Sequence, residues 1–379
     1  MIAVIGGGVS GLAVGYFLDR AGIDVRVLES EPLPGGVIRT ARCGDQVLDL
    51  GPQRLRLTTP VRQVVDALGL ADDLVPAPEL PLYIHVDGRL RRVPLDMTTA
   101  LTTDLLSWRD RIRALAEPFT VGLRPDEMAA DFFIRKFGRR TYRRVIAPLY
   151  GDLYASDPAD MPARHALAGS LETLRIDGSL LRAMLRAFRA RKTVPACSFR
   201  GGLQSFTDAM ARALGERLRL DAHVSAVRRD GARLRVGGDG LDLLADGVVL
   251  ACPADAAARI MGPLDAPAAE ALARLRYNPI AVVHLRSRVD LPAMGFQVPL
   301  DSGRATRGIT ANHAMFGQDG LYTAFLGGAV RRDVPDRTDD EIGALAAEEF
   351  EAMTGAPARP LHVHRTRMPA WDGSWTALE

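Results

Sequence analysis

The spacing of apolar and polar positions changes character along the chain, and each change predicts a different kind of structure. Ile2-Ala3-Val4-Ile5 is a short apolar run of the kind that forms a buried parallel strand. A helical segment opens near Val9, and a second apolar strand from Asp24 to Leu28 stops at the acidic Glu29. Val61, Val64, Val65 and Leu68 recur at helical spacing and stop at Gly69. Pro81 to Val93 predicts a hairpin about Asp87-Gly88, a dipeptide suited to tight turns with positive φ. From about Met97 to Lys192 strand formers thin out and the pattern predicts helices. After Phe199 an α/β pattern returns: a helix marked by Leu203, Phe206, Met210 and Leu214, a hairpin of 223–228 with 233–236 about Asp230-Gly231, and a buried parallel strand from Gly247 that stops at Cys252-Pro253. Beyond Leu275 the chain is strand-rich, with candidates at 280–285, 308–311 and 321–326 and a helix over 339–353.

The turn between the first strand and helix reads Gly6-x-Gly8-x-x-Gly11. At such a turn Gly6 allows the tight bend, Gly8 lets the backbone approach a pyrophosphate, and Gly11 lets helix and strand pack closely. The helix N-terminus offers unpaired N–H groups and a positive dipole end to phosphate, and Glu29 is placed to accept from a ribose diol. Strand, turn, helix, second strand and acid arrive in register, which points to a dinucleotide-binding unit. Met1 to Leu18 carries no charged side chain, as a signal or membrane segment would, but it lacks a basic n-region, contains five glycines and runs into Asp19-Arg20.

Composition narrows the reading further. The 379 residues suffice for two or three modules with cores of their own. A net charge of +2 argues against a nucleic-acid partner. Cys43, Cys197 and Cys252 lack CxxC spacing and read as reduced thiols of a cytoplasmic protein. His362 and His364 share a strand face without a third ligand in view, so no metal is expected. Cys252 and His284 read as structural side chains. Arg135, Lys136, Arg139, Arg140, Arg143 and Arg144 gather in one helical stretch. They suit peripheral contact with anionic lipid or an acidic partner, but a solvated helix face is the favoured expectation.

Gly35-Gly36-Val37-Ile38-Arg39 follows the acid, and then comes Leu48-Asp49-Leu50-Gly51-Pro52. Glu29 followed by Gly-Gly and then Arg resembles the FAD-binding flavin amine oxidase superfamily. Within it, the stretch from Arg143 to Pro158, ending Tyr154-Ala155-Ser156-Asp157-Pro158, is similar to the helical signature of the protoporphyrinogen and coproporphyrinogen oxidases. The strand ending Ala251-Cys252-Pro253, the segment Tyr277 to Leu285 and Met294 to Pro299 resemble the same family. The resemblance implies FAD, held by Gly6, Gly7, Gly8, Ser10, Gly11, Glu29, Ser30, Gly35, Gly36, Val37, Arg39, Gly51, Pro52, Gln53 and Arg54. Arg39 would face the pyrophosphate, and Val224 would meet the adenine through its backbone. Arg54, Arg56 and Arg89 are the candidates for the propionates of a tetrapyrrole substrate. No catalytic side chain is singled out, since hydride transfer to flavin N5 and reoxidation by oxygen are cofactor chemistry. The Tyr-Ala-Ser-Asp-Pro turn reads as architectural, with Pro148 and Gly151 breaking one helix and Asp157-Pro158 opening the next.

Two departures accompany the resemblance. Leu82 stands where the family's strand often begins with a basic residue. The sequence ends at Glu379, where family members continue through a Gly-rich strand turn and a closing helix. From this a weakened hold on FAD and an uncovered sheet edge are expected. The expected fold is α/β: a Rossmann-like FAD-binding domain from 1–75 and 197–258, lacking that closing segment, a mixed-sheet substrate-binding domain from 76–96 and 259–379, and a helical insertion over 97–196. The activity this implies is FAD-dependent dehydrogenation of coproporphyrinogen III or protoporphyrinogen IX in haem biosynthesis. An amine oxidase or desaturase acting on another substrate, and a degenerate flavoprotein that only binds a partner, are the alternatives.

Overall fold

Strand β1 (Ile2–Ile5) sits inside a four-stranded parallel sheet, between β2 (Val25–Leu28) and the strand Gly247–Leu250, with Leu218–Arg219 beyond β2. The structure is a computed structural model that describes residues 1–94, 99, 102–120, 122–167, 179–182 and 194–378. Ala3, Val4 and Ile5 are buried, as expected of a β-branched strand covered on both faces. Helix α1 (Val9–Arg20) turns Gly11, Leu12, Gly15 and Tyr16 inward. It rides close to the sheet because a Cβ on Gly15 would stand 2.5 Å from Val27. The helix Gln204–Leu214 joins the same core through Phe206, Met210 and Leu214.

The chain divides into two units. The first takes 1–77, 194–276 and 376–379. Besides the parallel sheet it holds a hairpin of Thr40–Cys43 with Gln46–Asp49 and an antiparallel trio of Val224–Asp230, Arg233–Gly238 and Leu241–Ala245. The helix Ala254–Met261 contacts the first strand of that trio and belongs to this unit.

The second unit takes 78–193 and 277–375 and carries a mixed seven-stranded sheet. Its order is Ala358–Pro369, Tyr277–Ser287, Leu321–Gly327, Thr306–Thr310, Gly295–Gln297, Leu82–Val86, Arg89–Arg92. Only Gly295–Gln297 with Leu82–Val86 runs parallel among the described pairs. Asp87 and Gly88 both take positive φ, as a two-residue hairpin turn requires. The helix Asp339–Thr354 opens with a Thr338–Glu341 capping box and lays Ile342, Ala346, Phe350 and Met353 on the sheet core.

Of the helical pattern over 97–192, residues 97, 98, 100, 101, 121, 168–178 and 183–192 lie outside the described residues. The rest forms helices at Trp108–Ala116, Ala129–Phe137, Arg139–Thr141 and Ala147–Tyr154. Two expectations need correction: Asp157-Pro158 opens only a turn, the next described helix being Ala163–Ala166, and the helix break is misplaced. Pro148 and Gly151 do not end a helix: the run from Arg139 continues through both, with a π-helical turn at Tyr142–Ile146. Proline is tolerated in the first turn of the Ala147–Tyr154 segment, and the wider turn falls where Pro148 cannot donate to the Arg144 carbonyl. The break comes at Ala155, whose φ is +48°.

Candidate functional site

The strongest concentration of backbone chemistry lies in the first unit, where the two glycine motifs meet. Gly6 has a φ of +111°, and a Cβ there would come within 2.7 Å of the Ala251 backbone. A Cβ on Gly11 would stand 1.8 Å from the Gly6 carbonyl oxygen, so α1 can approach β1 only through a glycine. Gly8 differs from both. A Cβ there would meet nothing nearer than Gly36 Cα at 3.8 Å, so the missing side chain leaves open space. The second motif lies across this turn: Gly35 and Gly8 form a parallel bridge, and the Gly35 N–H donates to the Gly7 carbonyl at 2.8 Å. Gly35 and Gly36 both take positive φ. Gly51 is pressed against the same loop, with Val37 O 2.1 Å from where its Cβ would be.

The first turn of α1 faces this cradle without a side-chain cap and without an acidic residue. Its N–H groups and positive dipole end are thus directed at whatever enters beside Gly8. Glu29, at the end of β2, is buried. Its Oε2 accepts from Gly7 N–H at 2.6 Å, and Oε1 accepts from Glu31 N–H at 2.9 Å and Ser30 Oγ at 3.2 Å. A carboxylate offers about four acceptor directions, so a ribose hydroxyl can still be received. An uncapped helix start, an open glycine position and a carboxylate at the neighbouring strand end fit a dinucleotide.

The other residues expected at the cofactor shape this cradle in different ways. The Arg39 guanidinium bends back to the Pro34 and Leu33 carbonyls at 2.6 and 2.9 Å, bracing the loop that delivers Gly35 and Gly36. Gln53 donates to the carbonyls of Asp49 and Gly51 at 2.6 and 3.0 Å and so sets the turn after the hairpin. Ser10, Ser30, Val37, Pro52 and Arg54 are exposed, and Val224 is buried in the core under the antiparallel trio. Crowding by protein, with Arg56 second, lowers the Arg54 guanidinium from its usual range. Arg54 and Arg56 lie in the first unit and Arg89 in the second.

Sequence reasoning passed over Asp49. This buried carboxylate accepts from Thr40 Oγ1 at 2.7 Å, Leu203 N–H at 2.9 Å and Ser198 Oγ at 3.5 Å, tying the hairpin to the Gln204–Leu214 helix. Burial raises its pKa to about 6 against the lowering effect of those three bonds. Its place ahead of Gly51-Pro52 was the available signal.

In the second unit the Tyr-Ala-Ser-Asp-Pro turn ties helix to sheet. The Ala155 carbonyl accepts from Ala329 N–H at 2.9 Å and Asn278 Nδ2 at 3.0 Å. Ser156 Oγ accepts from Asn278 Nδ2 and from Trp371 N–H, each at 3.0 Å. The basic cluster is largely paired internally. Arg135 holds Glu127 at 2.7 Å, buried Lys136 holds buried Glu117 at 2.8 Å, Arg140 reaches Asp110 at 3.5 Å, and Arg143 and Arg144 pair with Asp301 and Asp87. Burial raises the Cys252 thiol above its usual range, which does not suit a nucleophile. His284 is buried and its ring lies 6.2 Å from that of His362. Among the described residues no three His, Cys, Asp or Glu side chains converge as metal ligands.

The chain is similar to known proteins. Residues 9–376 match the family model of flavin containing amine oxidoreductase. A chloroplastic protoporphyrinogen oxidase of Nicotiana tabacum is 25% identical over 93% of this chain and 72% of its own length. A coproporphyrinogen III oxidase of Propionibacterium freudenreichii is 27% identical over 95% of this chain and 78% of its own. Among solved structures, a protein from Exiguobacterium sp., provisionally named a protoporphyrinogen oxidase, superposes with a TM-score of 0.80 at 22% identity, covering 98% of this chain and 87% of its own. The fold is therefore that of the amine oxidases, with a parallel sheet near the N-terminus and a mixed seven-stranded sheet. The chain belongs to the flavin containing amine oxidoreductase family, and its cofactor is FAD.

Proposed function

We propose that this protein is an FAD-dependent oxidase that dehydrogenates a porphyrinogen, either coproporphyrinogen III or protoporphyrinogen IX, to the porphyrin. One observation carries the reading: relatives named for these two activities align with more than nine-tenths of the chain. FAD, when bound, accepts hydride at N5 from the carbon skeleton and is reoxidised by oxygen. The protein's part is to bind and orient. Gly8 and the first turn of α1 receive the pyrophosphate, Glu29 receives the ribose diol, and Gly35 with Gly36 lets a second stretch of backbone close over the same place. Arg54, Arg56 and Arg89 are the proposed partners of the substrate's carboxylates. An anion beside Arg54 would offset both the crowding and the like charge of Arg56 that depress its guanidinium.

The test is aerobic turnover by the FAD-loaded protein, read as porphyrin fluorescence, with coproporphyrinogen III and protoporphyrinogen IX offered separately. Turnover of one or both, weakened by Arg56→Ala with FAD content unchanged, is expected. The family's name keeps amines as the second substrate class. Peroxide release with amines and none with either porphyrinogen would replace the reading with that one.

A further inference from the structure

The helix Ala147–Tyr154 lies across one face of the seven-stranded sheet. Ile84, Gln297, Gly308, Phe325 and Val282 stand opposite one another on successive strands and so share that face. At one end of this row Ile84 packs with Val145 and Leu149, and at the other Phe325 and Val282 pack with Ala155. The helix therefore passes over the middle of the row, where it contacts the strands that carry Gln297 and Gly308. Phe296 and Val298, on either side of Gln297, point the opposite way into the core that holds Phe350.

The middle of the row is polar, and its hydrogen bonding is incomplete. A Cβ on Gly308 would stand 2.4 Å from Gln297 Oε1, so the amide lies over the glycine. That oxygen is sealed from solvent and accepts no hydrogen bond, and the same holds for both carboxyl oxygens of Asp152 on the helix. The adjacent Val298 N–H is committed to the Arg307 carbonyl at 2.8 Å. Arg307 supplies the charge that acts on Asp152, but its guanidinium donates to the Ala305, Leu300 and Arg304 carbonyls. Other charges on the elements packed around the helix are engaged elsewhere. Arg143 holds Asp301, Arg144 holds Asp87, Arg135 holds Glu127, Lys136 holds Glu117, and Asp131 is exposed. Sealed acceptors on both sides of one helix–sheet contact lack a donor, and a proton on Asp152 provides it. A buried, unpaired carboxylate would cost far more than a neutral acid that donates. Burial accordingly raises the Asp152 carboxyl well above its ordinary 3.8, over smaller opposing effects of Arg307 and the Val298 N–H.

We infer that Asp152 docks this helix on the sheet as a neutral acid donating to Gln297 Oε1, which makes the docking a proton-dependent latch. The folded acid holds its proton more tightly than the unfolded chain does. Its contribution is therefore fully present below about pH 4 and is lost as pH rises through the raised folded value. Beyond that point the carboxylate must reach water, and the end of the helix loosens from the sheet. The latch does not depend on which substrate is oxidised.

The experiment is amide hydrogen exchange of the full-length, flavin-loaded protein between pH 5 and pH 9. Protection of Ala147–Tyr154 is read relative to the helix Asp339–Thr354 on the opposite face of the same sheet, which cancels the intrinsic effect of pH on exchange. In the wild type this ratio should fall at least about tenfold as pH rises. Asp152→Asn keeps a donor for Gln297 and has no proton to lose, so its ratio should stay level. Gln297→Leu removes an acceptor that only the neutral acid uses, and should move the midpoint to lower pH by about half a unit to one unit. That shift tests the latch even if Asp152→Asn fails to fold, and a merely structural glutamine would not produce it. A wild-type ratio that is constant across the range, or an Asp152→Asn ratio that falls as the wild type's does, would overturn the inference. An unmoved midpoint in Gln297→Leu would overturn the assignment of Gln297 as the acceptor.

Discussion

The Glu29 carboxylate accepts from Gly7, Ser30 and Glu31 before any ligand arrives. It therefore holds the glycine turn in shape besides its proposed role as an acceptor for the ribose. Glu29→Ala should lose both. The missing charge-assisted bond, worth roughly 1.5–3 kcal/mol, should weaken FAD about tenfold to a hundredfold, and the unpartnered Gly7 N–H should lower stability by about 1–3 kcal/mol. FAD titration and denaturation of the same preparations would show this, and an unchanged affinity would remove Glu29 from the ribose site. Asp49 supports a prediction of different form. Its folded pKa, near 6, lies above the ordinary 3.8, so the folded state binds the proton more tightly than the unfolded chain. The stability this contributes is fully present below about pH 4 and is lost as pH rises through 6, an amount of about 3 kcal/mol. Asp49→Asn keeps an acceptor for Leu203 and Thr40 and has no proton to lose. Its stability relative to wild type should therefore rise between pH 4 and pH 7, measured by denaturant unfolding without flavin. Parallel profiles for the two proteins would show that the carboxyl is ionised with an ordinary pKa.

At the scale of elements, two glycines of one turn separate binding from folding. A Cβ on Gly8 enters open space, whereas one on Gly11 collides with the Gly6 carbonyl 1.8 Å away. Gly8→Ala should leave the circular dichroism and melting of the flavin-free protein near wild type while cutting FAD affinity about tenfold or more, since the methyl would occupy the place proposed for the pyrophosphate. Gly11→Ala should instead destabilise the fold, because α1 must retreat from β1. Equal effects on folding would mean that Gly8 is also a packing position. The Tyr-Ala-Ser-Asp-Pro turn makes a complementary case in the second unit. Ser156→Ala removes the acceptor shared by Asn278 and Trp371 and should lower stability by about 1–3 kcal/mol with FAD affinity unchanged. A flavin site that loosened with it would give this turn a role beyond architecture. The sequence could identify this turn by resemblance but not its partners, because Asn278 and Trp371 lie more than a hundred residues further along the chain.

At the scale of the whole molecule, what was legible followed from local periodicity. The strands and helices of the first β–α–β unit, the Asp87-Gly88 hairpin and the helix at 339–353 have patterns that a few neighbouring residues determine. The hairpin of Thr40–Cys43 with Gln46–Asp49 escaped notice because its strands are four residues long and carry polar side chains. Ala358–Pro369, a twelve-residue strand, was visible only through its histidines, since an edge strand rich in arginine lacks an apolar signature. Pairings over long distances were out of reach altogether. The Met1 ammonium meets Asp246, 245 residues away, and β1 then runs in register with Gly247–Leu250. Each unit is consequently made of separated stretches of chain, and the motif residues near the N-terminus cannot assemble alone. A fragment of residues 1–193 keeps both glycine motifs, Glu29, Arg39 and Arg54. It lacks the strands on the outer sides of β1 and β2 and the helix that completes their core. It should therefore purify without flavin and bind added FAD at least about a hundredfold more weakly than the whole chain, because ordering β1 would expose apolar surface instead of burying it. Co-expressed with residues 194–379, the same fragment should recover flavin absorbance in a one-to-one complex. Wild-type FAD affinity in the isolated fragment would show that the first β–α–β unit folds by itself and that the long-range pairing serves another end.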